Sequence, residues 1–487
     1  MSNERSKNSI FSGLFWKFSE RILSQGIAFG ISVILARLLS PDDYGIIAIV
    51  MIFMNLADVF VVSGFSTALI QKRDADSVDF STMFYCSFLC ALVIYGMLFA
   101  AAPLIADFYH EPVLVKVVRV FALRIPLSAY YSIQQAYVAR HMMFQRFFYS
   151  TLSAVIFSGA AGIAMAYMGF GVWALITQYL VNTIVGSIVL TAIVPWRLER
   201  KFSPASAKRL MRYGWKVFAA DFSGTFFSQL RGLIVGRVYT KTDLAYYDKG
   251  QQLPTLISTN VSATVMSVLF PAIANLGNDL EQVKQMTKRA VRLMSYIIFP
   301  LMAGLAVVAR PLVLLLFTEK WQDCIPFVQL LCISAALDLL GTTSLQAIKA
   351  IGRSDVLLKI EFVKKPVYLL LLILGVQISV YATAVTLVVY AVYAVFINMW
   401  QLKKYLRYDI LEQLRDVLPA FLLSVSMALV VSTVLRLRLS NPVTLLAQVA
   451  LGIVYYAAVS WLLKVDSFTY LLGAIRAIRK GPEQAGK

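Results

Sequence analysis

Apolar stretches of about 20 residues recur along this chain from one end to the other, and that recurrence leaves little freedom in the fold. A helix needs ~20 such residues to cross the hydrocarbon of a bilayer. The stretches fall near residues 10–36, 44–70, 80–106, 113–139, 147–168, 171–194, 213–239, 244–274, 290–317, 324–350, 356–376, 379–402, 414–437 and 442–464. The sequence therefore predicts an all-α polytopic membrane protein of about 14 transmembrane helices. Composition agrees: of 487 residues 59% are hydrophobic and 15% charged, against about 25% charged in a soluble protein, and the mean hydropathy is +0.73. The opening MSNERSKNSI does not lead into a short apolar core with a small-residue cleavage site, so the first span is expected to stay in the mature protein.

Loop charge sets the expected orientation, because Lys and Arg are held on the cytoplasmic side. Arg5 and Lys7 precede the first span, and every even-numbered span ends in basic residues: Lys72 and Arg73, Arg140 and Arg146, then Arg197 to Arg212. The alternation continues through Lys284 to Arg292, Arg353 and Lys359, Lys403 to Arg407, and Arg476 to Lys480. The opposite loops at 107–112, 168–171 and 376–379 are nearly free of basic residues. Both termini are thus expected in the cytoplasm. Arg436 and Arg438 run against the rule. The net charge of +19 is dispersed over helix ends and interiors, with no pattern of a nucleic-acid-binding motif, so no nucleic-acid partner is expected.

An internal repeat is visible. Trp16-Lys17 and Trp215-Lys216 open the first and seventh spans, while LARLLSPDDYG and VGRVYTKTDLA close them, with Arg37 and Arg237 at matching places. The period of 199 to 200 residues spans an even six helices, so both copies share one orientation. The expected organisation is a first lobe over 1–200, a second over 201–405, and two extra helices with a cytoplasmic tail over 406–487. Parallel repeats of this kind imply two six-helix bundles with a cavity between them. The tail segment 466–480 has Arg476, Arg479 and Lys480 placed to meet anionic lipid as an interfacial helix.

Signs of an enzyme are missing. The chain has no phosphate-cradling G-x-x-x-x-G-K-[ST] loop, no G-x-S-x-G elbow, no metal-ligand cluster and only two histidines, His110 and His141. We expect no catalytic residue, no metal and no cofactor. Cys86, Cys90, Cys324 and Cys332 read as small buried hydrophobes.

Polar residues inside the spans are more telling. Asp221, Thr225, Ser228 and Arg231 share one face of the seventh helix; Asp248, Gln252, Thr255, Thr259 and Ser262 share one of the eighth, with Pro254 among them. Asn55 and Asp58 mark the second helix, and Ser334, Asp338, Thr342 and Lys349 the tenth. Such stripes face a wet cavity or a neighbouring helix, not lipid; interhelical hydrogen bonding is the plain explanation for the isolated hydroxyls and amides. Lys116, Arg119 and Arg124 on the fourth helix, and Lys364 and Lys365 beside Pro366, add positive charge, with Lys116 placed to snorkel. Within the spans the bases outnumber the acids, and a cavity of that sign attracts phosphate or pyrophosphate rather than a cationic drug.

Lys17, Arg21, Arg124, Lys216, Arg231, Lys349, Lys364 and Lys365 are accordingly the candidate anion-binding residues. Asp58, Asp221 and Asp338 are ion-pair partners or carriers of H+ or Na+. Asp221 and Arg231 lie about 15 Å apart along their helix, too far to pair directly. At the start of the first helix Lys17, Glu20, Arg21, Ser24, Gln25, Ala28 and Ser32 share a face running inward from the cytoplasmic boundary, as the mouth of a cavity would.

Several stretches, in order and at these spacings, carry a resemblance: LARLLSPDDYG at 35–45, NLADVFVVSGFSTALIQKRD at 55–74, VLFPAIANLGND at 268–279, FTEKWQDCIPFVQLLC at 317–332 and AIGRSDVLLK at 350–359. Over roughly 10–465 the chain resembles the polysaccharide, or lipid-linked oligosaccharide, flippases of the colanic-acid and teichuronic-acid exporter branch. The resemblance implies the fold of the multidrug, oligosaccharidyl-lipid and polysaccharide exporter superfamily, with two six-helix lobes in a V and two further helices. It implies an undecaprenyl-pyrophosphate-linked sugar repeat unit as substrate, moved by alternating access across a bacterial inner membrane for exopolysaccharide or lipopolysaccharide biosynthesis. A polysaccharide polymerase and chain-length machinery are then candidate partners. The site residues above come from the stripes, not from the family. The rival of the same fold, an ion-coupled drug or cation antiporter, calls for an acidic lumen; a membrane-embedded polymerase or transferase calls for a large outer loop or donor-binding domain. Neither is visible. Glu319, Lys320 and Trp321 read as structural, with Trp321 an interfacial anchor.

Overall fold

The structure, a computed structural model, describes the backbone of residues 2–480 except 64, 65, 67, 68, 71, 73, 275, 277, 278 and 438. Side chains are described within that range apart from those of 2–15, 18, 63, 213, 216, 266–272, 274, 354, 355, 358 and 474–480. Arg5, Lys7, Lys216, Arg438, Arg476, Arg479, Lys480 and most of the 268–279 stretch thus lie outside the described residues or side chains. The described residues form helices and turns with no strand.

Contacts divide the chain into Met1–Ala245 and Tyr246–Lys487. The first unit holds α1 (Ser2–Leu38), α2 (Pro41–Asp58) continued by a π-helical turn (Val59–Ser63), α3 (Ser77–Tyr109), α4 (Val113–Phe121), α5 (Arg124–Arg140), α6 (Phe144–Tyr167), α7 (Val172–Ile193) and α8 (Pro204–Val238). Helix α9 (Lys241–Ala274) runs from its end into the second unit. That unit continues with α10 (Leu280–Phe317), α11 (Ile325–Ala350), α12 (Ser354–Val376), α13 (Val380–Leu406), α14 (Ile410–Ser432), α15 (Asn441–Leu462) and α16 (Asp466–Lys480).

Among the described residues ten helices are long and apolar enough to cross a membrane. The expected spans near 113–139, 213–239, 244–274 and 356–376 are not among them. These are the segments with Arg124, with Asp221 and Arg231, with Asp248 and Lys249, and with Glu361, Lys364 and Lys365, whose charges lower the mean hydropathy. The span expected over 113–139 is broken into α4 and α5. Pro126 has no N–H for the carbonyl of Ala122, which accepts instead from the Ile125 N–H at 2.9 Å.

Small residues let the first unit's helices approach. Ser150, Ala154, Ser158 and Gly162 recur every four residues along α6, and α7 packs there, the Ser150 hydroxyl donating to the Gly186 carbonyl at 2.9 Å. A methyl at Gly159 would lie 2.1 Å from Ile31 of α1. The 194–206 segment is tied to the start of α3: the Glu199 N–H donates to Ser81 and the Ser203 N–H to Thr82, while Asp79 takes Lys72 and the Ser206 hydroxyl. The Ser77 hydroxyl beside Glu199 holds that carboxyl below its usual range.

The repeat is written into helix caps. Ser40 and Asp43 cap each other at the start of α2, with the Asp43 N–H donating to the Ser40 hydroxyl at 3.2 Å. Exactly 200 residues on, as the pair Thr240 and Asp243, the same box opens α9 at 3.1 Å. The two boxes touch within the first unit: the Thr242 hydroxyl donates to Asp42, and a Cβ on Gly45 would stand 2.2 Å from the Lys241 carbonyl oxygen. Lys241 also pairs with Glu111 at 2.9 Å.

In the second unit α10 is the hub, packing on α11, α14 and α15. Lys288 reaches Glu412 at 2.6 Å and Arg292 reaches Asp416 at 2.6 Å, so α14 is held to α10 by charge as well as by packing, while α15 is joined to it through the Tyr296 hydroxyl on Ser460 at 2.7 Å. Burial raises the Tyr408 phenol above its usual pKa, and the hydrogen bond it donates to Asp416 at 2.6 Å adds to this. Trp321 is not an interfacial anchor. It is fully buried, edge-on to Tyr246 and Phe317 with the Lys249 ammonium 5.4 Å from its ring, because the short turn Glu319–Cys324 folds it inward. Cys324 and Cys332 are buried as expected, but Cys86 and Cys90 are only half-buried, since α3 turns most of its surface outward.

Candidate functional site

In the first unit the polar groups gather around the end of α2. Asp58 is the last α-helical residue before the π-helical turn, and its Oδ2 accepts from the Arg124 guanidinium at 2.7 Å. The two side chains are 23% and 20% exposed, enough for water or a ligand to reach them. Arg124 opens α5, next to the break that Pro126 imposes, and stands 5.9 Å from the Phe121 ring. A π-helical turn widens the backbone by one residue and is common at functional sites. Here it also presents Phe60 to a ladder on α8, 4.7 Å from Phe218 and 5.3 Å from Phe222, with Phe226 next in line.

Arg231, further along α8, is 4% exposed, whereas Asp221 and Ser228 are exposed. The expected face of α8 is therefore not uniform: its start is open and its end sinks against α2, where a Cβ on Gly232 would lie 3.2 Å from Ile52. At the start of α1, Lys17 is exposed, 5.5 Å from the Phe144 ring, and Arg21 is half-buried. Trp16 packs on Phe148 and Tyr149. That face of α1 thus packs partly on α6 rather than lining open space throughout.

In the second unit the stripes of α9 and α11 meet. Thr255, Thr259 and Ser262 from one and Ser334, Asp338 and Thr342 from the other line a single cleft of about 220 Å³. Asp338 is exposed there and lies within electrostatic range of Lys364 and Tyr390. Lys364 is 4% exposed; Lys365 is half-buried, 3.5 Å from Glu361. Lys349 is exposed near the end of α11. Of the eight basic candidates, the structure brings Arg124 to Asp58, and Lys364 and Lys365 to the neighbourhood of Glu361 and Asp338; the Lys216 side chain lies outside those described. No group of three or more His, Cys, Asp or Glu suited to a metal occurs among the described residues.

The family model described as polysaccharide biosynthesis protein matches residues 34–326, more than half of the chain. The chain belongs to this family. This polysaccharide biosynthesis protein is 22% identical to the lipopolysaccharide biosynthesis protein WzxC of Escherichia coli, over 77% of its own length and 76% of WzxC. It is 23% identical to the succinoglycan biosynthesis transport protein ExoT of Rhizobium meliloti, covering 70% and 69% of the two chains. With the teichuronic acid biosynthesis protein TuaB of Bacillus subtilis it shares 23% identity over 77% and 78%. Among solved structures, the lipid II flippase MurJ in an inward closed conformation matches with a TM-score of 0.74 at 16% identity, covering 94% of this chain and 99% of MurJ. A multidrug resistance MATE transporter of the MOP superfamily, inward-facing, matches at 0.61 with 15% identity over 79% and 94%. The polysaccharide biosynthesis protein thus shares their fold and is a multi-pass membrane protein.

Three features of this polysaccharide biosynthesis protein escape a reading of stripes. The Phe218, Phe222, Phe226 ladder has a signal, aromatic residues every four positions, that merges with ordinary span hydrophobicity. Lys249, 5% exposed and 4.5 Å from the Phe317 ring, adjoins Asp248 in sequence but turns to the opposite environment. Glu361 is visible only as part of a charged cluster whose sign the neighbouring lysines dominate.

Proposed function

We propose that this protein is a flippase that moves an undecaprenyl-pyrophosphate-linked oligosaccharide repeat unit from the cytoplasmic to the outer leaflet of a bacterial inner membrane, for surface polysaccharide synthesis. The observation that carries the reading is the placement of Arg124 at the start of α5, paired with Asp58, and of Arg231 buried within α8, in a chain of this family and fold. A pyrophosphate crossing bare hydrocarbon would face a desolvation cost of tens of kcal/mol. Guanidinium groups meet phosphate oxygens in a bidentate fork and remove most of that cost.

On this reading the four charged segments also cross the membrane, making fourteen spans in two six-helix lobes, 1–200 and 201–405, followed by a C-terminal pair, with both termini cytoplasmic. Transport proceeds by alternating access. The contact of Gly45, Asp42 and Glu111 with Lys241 and Thr242 lies at the ends of helices that start in the cytoplasm, so it serves as an outer closure that must open for release. Lys216, Arg231 and Lys349 are the main anion contacts, with Lys17, Arg21, Arg124, Lys364 and Lys365 in support.

Asp58 is the coupling carboxylate. A pyrophosphate that draws Arg124 away leaves Asp58 to take up H+ or Na+, so anion and cation binding favour each other through one shared side chain. Asp221 is exposed on α8 and Asp338 opens onto the hydroxyl-lined cleft, whereas Asp58 is bonded directly to Arg124 beside the π-helical turn. The test is export in a deletion strain complemented by Arg231→Ala with Lys349→Ala, and separately by Asp58→Asn. The double alanine variant should accumulate lipid-linked oligosaccharide inside the cell, and Asp58→Asn should lose its dependence on the proton or sodium gradient. Wild-type export by the first, in protein that reaches the membrane, would sink the anion assignment.

A further inference from the structure

We propose that the cleft between α9 and α11 of the second unit is a monosaccharide subsite that accepts a sugar ring without negative charge. The inference rests on the flippase reading and adds to it which part of the substrate this cleft holds and what it rejects.

The cleft's two walls are hydroxyl-rich and its floor is apolar. Three hydroxyls have already donated their protons to their own helices: Ser258 and Thr259 to the Thr255 carbonyl at 3.2 and 2.7 Å, and Thr342 to the Leu339 carbonyl at 3.0 Å. They face the cleft as acceptors, lone pairs outward. Ser334 is different. Its Oγ is buried, the residue being 2% exposed, and it has no hydrogen-bond partner among the described residues. A buried hydroxyl left unsatisfied is costly, and this one sits in the cleft wall, where a ligand would supply the missing bond. Leu331, Leu339 and Leu387 line the same space. A pyranose matches both surfaces: it carries hydroxyl donors around its rim and C–H bonds on its faces.

Size and charge narrow the choice. About 220 Å³ is room for roughly seven waters at ~30 Å³ each, far more than a bare cation fills and suited to one hexose ring. Asp338 is the one acidic residue among the described lining residues, and no Lys or Arg lines the cleft. The carboxylate strengthens hydrogen bonds from sugar hydroxyls and repels a uronate or other acidic sugar.

The test uses full-length purified protein in lipid nanodiscs and three probes: a short-chain prenyl pyrophosphate, the same lipid bearing one glucose, and the same lipid bearing one glucuronate. Wild type should bind the glucose probe about tenfold tighter than the sugar-free lipid, and the glucuronate probe no tighter than the sugar-free lipid. Ser334→Ala combined with Thr259→Val should shrink the glucose preference below about threefold while leaving the sugar-free affinity unchanged. Equal affinity of wild type for all three probes overturns the subsite but leaves the flippase reading standing. So does a variant that keeps the glucose preference, or one that loses a sodium response instead. If wild type binds none of the three lipids, the flippase reading itself fails and the subsite with it. Should the double variant not fold, the wild-type comparison of glucose with glucuronate still decides.

Discussion

Asp58 and Asp338 are the same residue in the same kind of place, a carboxylate within an apolar helix, yet they are handled in opposite ways. Asp58 is held by Arg124 at 2.7 Å, both side chains about one-fifth exposed, at a point where the helix widens into a π-helical turn. Asp338 is exposed among hydroxyls in a cleft, with buried Lys364 at electrostatic range. A charge inside an apolar helix is compensated by close partners, by water and by weak dipoles in differing proportions. The first arrangement is costly to break, as the proposed switch requires, while an exposed carboxylate is cheaper to alter, as the proposed sugar subsite requires.

The sharpest way to break this comparison is Arg124→Ala. Removing one partner of a largely buried pair leaves an uncompensated charge and should cost about 3 kcal/mol in thermal unfolding, with Asp58→Asn added to it recovering most of the loss. If Arg124→Ala melted like wild type, the pair would be no more than a surface contact. Next comes Gly45→Val, where the new side chain meets the Lys241 carbonyl at 2.2 Å and has only backbone to push against. Overpacking there should cost about 2 kcal/mol, whereas Gly224→Ala on α8, with nothing within 4 Å, should be neutral or mildly stabilising.

Smaller effects test the symmetry of the repeat. Ser40→Ala and Thr240→Ala each remove the capping hydroxyl of an equivalent box, and each should lower stability by about 1 kcal/mol. Unequal losses would show that the two copies carry different loads. The smallest change belongs to Asp338→Asn, within about 0.5 kcal/mol by the same melting assay, because the group is exposed and stays hydrated. A loss as large as that of Arg124→Ala would erase the distinction between the two carboxylates.

The helical register of the stripes was legible without a structure. Thr255, Thr259 and Ser262, and Ser334, Asp338 and Thr342, share faces by spacing alone, and the structure brings those two faces to one cleft. The repeat was equally legible from Trp-Lys pairs and matching helix ends, and it returns as two capping boxes. The α8 face read as one stripe, but Asp221 is exposed and Arg231 is not, because a stripe only states direction and the depth along a helix depends on what packs beside it. Trp321 failed as an interfacial anchor for a similar reason: a Trp at a helix end is favourable in the interface or in a core, and the turn Glu319–Cys324 chose the core.

Local chemistry, then, was determined by the sequence itself: which segments are helical and apolar, where charge interrupts them, which residues cap them, and that a motif returns after 200 residues. These depend on neighbours within a turn or two, and on the price of placing charge in lipid. The partner of each buried charge was decided by tertiary structure alone. Asp58 and Arg124 are separated by 66 residues, and nothing in the spacing of either helix says that they meet. Their pairing follows from how α2 and α5 pack, and packing sums many weak contacts between segments that are distant in sequence.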